Sequence, residues 1–174
     1  MMTNISNNAA YIIKRINEIW EKEPSKKTLQ KIVFLIEQKG IDLGYEYGLH
    51  FYGPYSGTLD AVTTFLSADG VIEFDYSGYS HLMSINEENF TVGPDGLSNE
   101  QRKTIDELIE YFRGWSPSEL ELLTTAIYAY NHLEDKSKTS IINGVQKIKG
   151  LKYSKEQIQH SLKELAHFNK PILC

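Results

Sequence analysis

Few side chains in this sequence have both the type and the spacing that catalysis or metal binding needs. The histidines are His50, His81, His132, His160 and His167. His160, Glu164 and His167 follow one another at i, i+4 and i+7, which on a helix would gather two imidazoles and a carboxylate on one face, a set that suits zinc. The His-Glu-x-x-His pattern is missing, and a solvated helix face yields such triplets by chance, so no metal is expected. Gly53, Gly57 and Gly70 are turn or helix-end glycines with no P-loop lysine-serine pair, and there is no Gly-x-Ser-x-Gly elbow. The single cysteine, Cys174, is the last residue and cannot be positioned as a nucleophile or anchor a metal cluster. Carboxylates are plentiful, but no spacing selects two as an acid and base. The expectation is a non-enzymatic protein without a cofactor.

Tyrosine is more informative. Tyr45, Tyr47, Tyr52, Tyr55, Tyr76 and Tyr79 are six of the chain's eleven tyrosines and all lie between positions 45 and 79. A tyrosine joins a large apolar ring to a hydroxyl and is enriched where proteins meet partners. Tyr52 and Tyr55 are expected to be structural around Gly53-Pro54. Tyr45, Tyr76 and Tyr79, with Asp60, are expected to form an exposed partner-binding surface.

The elements that must hold these residues can be read from periodicity. A first helix is expected from about Asn7 or Asn8 to Glu23, with Ile12, Ile13, Ile16, Ile19 and Trp20 on its apolar side. Leu29, Ile32, Val33, Leu35 and Ile36 predict a second over 26–39, ended by Gly40. Residues 45–52 suit a short strand or extended connection. Tyr52-Gly53-Pro54-Tyr55 turns the chain, and Ser56 caps a third helix with Leu59, Val62, Phe65 and Leu66 on one stripe. Residues 71–76 and 81–85 pair as a wing around Ser77-Gly78-Tyr79-Ser80. Three helices followed by a two-stranded wing is the order of a winged helix. Beyond a loop over 86–99, capping residues predict helices starting at Ser98, Ser116 and Ser154, with another over 138–149. The fold class is therefore mainly α with a small β wing: a winged-helix-like lobe over 1–92 and a helical lobe over 97–174 with a helix-turn-helix-like end, either as two lobes or as one compact domain.

Leu29-Gln30-Lys31, the aromatic-rich approach to the turn, Tyr52-Gly53-Pro54-Tyr55-Ser56 and Leu120-Glu121-Leu122-Leu123 resemble the YwgA-like family of uncharacterised bacterial proteins. Residues 28–70 resemble, more distantly, Panacea (SocA-like) antitoxin domains, which share an LQK helix followed by an aromatic and a Gly-Pro turn. The resemblance implies a bacterial binding or regulatory protein, antitoxin-like or part of a bacterial or phage conflict system, that works by direct contact with a protein.

Charge bears on the choice of partner. Residues 1–39 carry seven Lys/Arg against four Asp/Glu, 40–135 three against seventeen, and 136–174 eight against two. The third helix holds Asp60 and no Lys, Arg, Asn or Gln, and the wing holds Glu73 and Asp75 without a cation. Reading of a duplex depends on those missing side chains, so this lobe is not expected to grip DNA. The competing expectation is a transcriptional or nucleic-acid-associated regulator, acting as a homodimer through the basic C-terminal helices. Lys147, Lys149, Lys152, Lys155, Gln159 and Lys163 would be its contacts. No apolar run reaches the ~20 residues that cross a bilayer, and residues 1–6 lack a basic stretch followed by an apolar one. Membrane association is not expected, and a cytoplasmic location is.

Overall fold

A computed structural model describes residues 2–174, with side chains from residue 4 onward. The chain is mainly α, with two small two-stranded sheets. It divides into two compact units: residues 1–48 with 55–115, and residues 49–54 with 116–174.

In the first unit, α1 (Met2–Trp20), α2 (Lys26–Gln38) and α3 (Gly57–Ala68) precede the wing strands β3 (Ile72–Asp75) and β4 (Leu82–Ile85), and α4 (Asn99–Tyr111) closes it. Ile12, Ile13 and Ile16 of α1, Leu29, Ile32, Leu35 and Ile36 of α2, and Leu59 of α3 are fully buried together with Ile72, Met83 and Ile105. Their helical spacing is what forces these helices to share a core. The wing is antiparallel, with Ile72 opposite Ile85 and Asp75 opposite Leu82. Its outer strand also pairs with the α1–α2 connection through a bridge between Ser25 and Leu82. Asn17 fixes β4 on α1, accepting from the Ile85 amide and donating to the Met83 carbonyl. Arg15 grips Asp106 of α4 through two nitrogens at 2.8 and 3.1 Å.

The motif residues of α2 turn out to be joints. Gln30 is buried; its Nε2 donates to the Ser56 carbonyl at 2.9 Å and its Oε1 accepts from the Ser56 amide at 2.8 Å. One amide therefore satisfies both backbone groups of the residue that caps α3. Ser56 Oγ in turn accepts from the Leu59 amide.

In the second unit, α5 (Pro117–His132) packs against α6 (Lys138–Lys149) and α7 (Lys155–Leu162), and the chain continues as a 3-10 turn over Lys163–Phe168. Leu120, Leu123, Ala126 and Ile127 of α5 are fully or almost fully buried. The predicted capping boxes at Ser98, Ser116 and Ser154 are all formed, each with its Gln or Glu side chain reaching back to the cap amide.

Several boundaries differ from expectation. α1 begins at Met2, several residues before the expected Asn7 or Asn8, and ends at Trp20, short of Glu23. Residues 41–47 have no regular structure, because Glu37 accepts the Leu43 and Tyr45 amides and holds that segment against α2. Only β1 (Gly48–His50) is a strand there; it pairs with β2 (Gly53–Tyr55), so the chain reverses at Phe51-Tyr52. The expected division at residues 92–97 also shifts. α4 packs on α1 and α2, so the boundary falls after Trp115, and residues 49–54 belong with the C-terminal helices.

Candidate functional site

The wing projects the most exposed aromatic side chains of the first unit. Tyr79, at the turn, is completely exposed, and Tyr76 is 64 % exposed. Tyr76 lies edge-on to His81, with ring centroids 4.6 Å apart, and near Phe74 at 5.6 Å. These contacts pre-position the Tyr76 ring without covering it. A bond from the Ser77 side chain, and then the Ser77 amide that donates to Asp75 Oδ1 at 2.8 Å, hold the Asp75 carboxyl below the usual carboxylate range. The wing thus carries a negative charge on the residue next to Tyr76. Neither wing strand contains Lys or Arg.

An open groove of about 450 Å³ lies in the same unit. Ala10, Phe65, Val71, Phe90 and Val92 supply its apolar lining, and Asp69 and Glu88 its carboxylates. No Lys or Arg lines it. Phe65, expected on the buried stripe of α3, is instead 41 % exposed. The outward positions of α3 are otherwise Thr58, Ala61, Thr64 and Ala68, a face with nothing to neutralise a phosphate.

One of the four expected partner contacts, Tyr45, is corrected, and a second, Asp60, has a structural partner of its own. Tyr45 is buried, and its hydroxyl donates to the Ile5 carbonyl at 3.0 Å, so the ring belongs to the core. Burial pushes its phenol well above the ordinary value. Asp60 is held by Lys26 at 3.1 Å, and the Lys26 ammonium also lies over the Phe74 ring at 5.2 Å. That makes Asp60 a brace between α2 and α3 as much as a contact.

The second unit changes the lysine surface. Glu121 is buried on α5, and a single oxygen, Oε1, accepts from Lys149 at 2.7 Å and Lys152 at 2.8 Å. Burial pushes the Glu121 carboxyl up, but the two ammonium groups outweigh it and hold the group below its ordinary value. The Lys149 side chain is only 4 % exposed and also donates to the Phe51 carbonyl at 2.8 Å. Lys149 is therefore a buried structural cation, which corrects its expected role as a phosphate contact. Lys152 stays partly exposed near the rings of Tyr52 and Tyr153. Lys147, Lys155 and Lys163 are exposed, and Gln159 is half-buried.

This cluster positions a surface that the sequence did not advertise. Lys149 ties down the Phe51-Tyr52 turn, and Gly53 beside it has φ +95 and lies so close to α5 that a Cβ would sit 3.1 Å from Thr125 Oγ1. Phe51 is 84 % exposed and Leu151, in the α6–α7 connection, is completely exposed; Leu49 and Tyr52 are partly so. Tyr52, expected to be structural, is thus half on the surface. The alternation of residues 45–52 could have hinted at the hairpin, but no local signal links Glu121 to two lysines some thirty positions later.

For catalysis, the helical triplet at 160, 164 and 167 is broken by the change of pitch after Leu162. Glu164 and His167 approach to 3.8 Å on the 3-10 turn. Among the described residues, no three His, Cys, Asp or Glu side chains gather as a metal site, and no helix is long and apolar enough to cross a membrane. Compared with protein families and with curated proteins, the chain matches none.

Proposed function

We propose that this chain is a non-enzymatic protein-binding regulator, antitoxin-like in its mode of action, whose acidic, tyrosine-tipped wing engages a basic surface on another protein. The observation that carries this reading is the pair Tyr76 and Tyr79, exposed on a wing whose charged side chains are Glu73 and Asp75. An exposed tyrosine held in place, as Tyr76 is by His81 and Phe74, costs little side-chain entropy on binding, and exposed tyrosines are typical anchors of interfaces. The carboxylates select a cationic partner and speed encounter with it. Asp69 and Glu88, lining the groove, extend the acidic chemistry of this unit. A winged-helix-like lobe of this composition acts through protein contact, since neither α3 nor the wing offers cations to a phosphate chain.

The test is affinity purification from the native host, identification of the captured protein, and titration of the two purified proteins. Replacing Tyr76 and Tyr79 together by alanine should weaken the complex about 100-fold, from roughly 1–2 kcal/mol per anchor. A stable partner bound equally by the double variant, or co-purification of nucleic acid alone, rejects the proposal.

A further inference from the structure

The Phe51, Tyr52 and Leu151 surface has chemistry opposite to that of the wing. Two completely or largely exposed apolar side chains stand on separate loops that Lys149 and Lys152 tie together, the Phe51-Tyr52 turn and the α6–α7 connection. A buried ion pair at Glu121 is costly to desolvate, and here it fixes the two loops as one surface. Lys149 and Lys152 meet the single carboxylate of Glu121 beneath it, which leaves the patch net positive, with Lys152 as its partly exposed cation. Exposed apolar residues rimmed by charge mark a protein contact, and a fully exposed leucine offers nothing to stack on a base.

We infer that this patch docks the acidic wing of a second copy of the chain, head to tail. Patch-on-patch pairing would set lysines against lysines, whereas the wing presents Tyr76 and Tyr79 with Glu73 and Asp75, matching the patch in both charge and apolar content. Such a contact leaves one wing and one patch free at the ends, so it propagates or closes as a ring. It rests on the reading of the wing as a protein contact, and a partner that occupies the wing would dissolve the self-assembly.

Sedimentation of the pure chain tests this. At about 50 mM salt the mean mass should climb above the 19.9 kDa of one chain as concentration rises, and at about 500 mM salt it should fall back. Phe51→Ser/Leu151→Ser and Tyr76→Ser/Tyr79→Ser change only exposed side chains, and each variant alone should remain a single chain with an unchanged melting temperature. Mixed, they share one intact patch and one intact wing and should form a pair that stops at two chains. A single-chain mass under all conditions, self-association that survives the wing substitutions, or a mixture that regains nothing overturns the inference. If the wing variant loses its captured partner while the native chain never self-associates, the inference fails and the proposed function stands. If self-association follows the expected pattern but no partner binding depends on the wing, the proposed function fails instead.

Discussion

Gln30 shows how much one side chain can decide. Its amide pairs with both backbone groups of Ser56, so it fixes where α3 begins and in which direction. Replacement by alanine leaves a buried donor and a buried acceptor unmatched, at a cost of about 2 kcal/mol or more. Gln30→Glu is the sharper test: the carboxylate still accepts from the Ser56 amide but faces the Ser56 carbonyl with a second acceptor. Chemical denaturation should show the variant destabilised at neutral pH and partly restored below about pH 5, where a protonated Glu can donate again. Gly53 is comparable in the second unit. At φ +95, with Thr125 Oγ1 and the Glu121 backbone nearby, Gly53→Ala is strained in backbone and in space. It should lower stability by about 1–3 kcal/mol in the same assay, and hydrogen exchange should locate the loosening at residues 49–54.

At the scale of elements, whatever local physical chemistry sets was legible in the sequence. Ser98, Ser116 and Ser154 were readable as caps because a serine with a Gln or Glu three residues on makes a reciprocal pair of bonds within one turn. The wing was readable from alternation and its polar turn, and α2 and α3 from their apolar spacing. What was illegible depends on contacts between distant residues. Tyr45 looked like its exposed neighbours because nothing nearby in sequence announces the Ile5 carbonyl that takes its hydroxyl. Lys149 looked like Lys147 because only folding brings Glu121 to it. The exposure of Tyr76 and Tyr79 was legible, since a wing tip leaves its side chains uncovered, whereas that of Phe51 and Leu151 was not. The cap on the central helix gives a measurable consequence. Ser116→Ala removes the acceptor for the Glu119 amide and the hydroxyl that donates to the Glu119 carboxylate, leaving only the bond from the residue 116 amide. The loss should be about 1 kcal/mol in denaturant unfolding, and Ser116→Asp, which can still cap, should recover most of it.

For the molecule as a whole, two carboxylates give the pH dependence of stability opposite signs. Glu37 is half enclosed in the first unit; burial raises its pKa more than the Tyr45 and Leu43 amides lower it. The folded chain therefore keeps this proton to higher pH than the unfolded chain, so the contribution of Glu37 is favourable below the ordinary carboxyl range. It is lost as pH rises through the raised value. Glu121 behaves conversely. Lys149 and Lys152 hold its pKa below the ordinary value, so its stabilisation is present above the unfolded-state value of about 4.3 and disappears as pH falls through the folded value. Both tryptophans, Trp20 and Trp115, belong to the first unit, so their fluorescence follows that unit while circular dichroism follows all helices. Glu37→Gln should remove a loss of stability as pH rises above the ordinary carboxyl range in the fluorescence transition. Glu121→Gln should cost about 2 kcal/mol at neutral pH by dichroism and flatten the fall in stability on acidification. If Glu121→Gln left the acid limb unchanged, the buried cluster would not be what holds the Phe51-Tyr52 turn at neutral pH, and the surface carrying Phe51 and Leu151 would have to be fixed by packing alone.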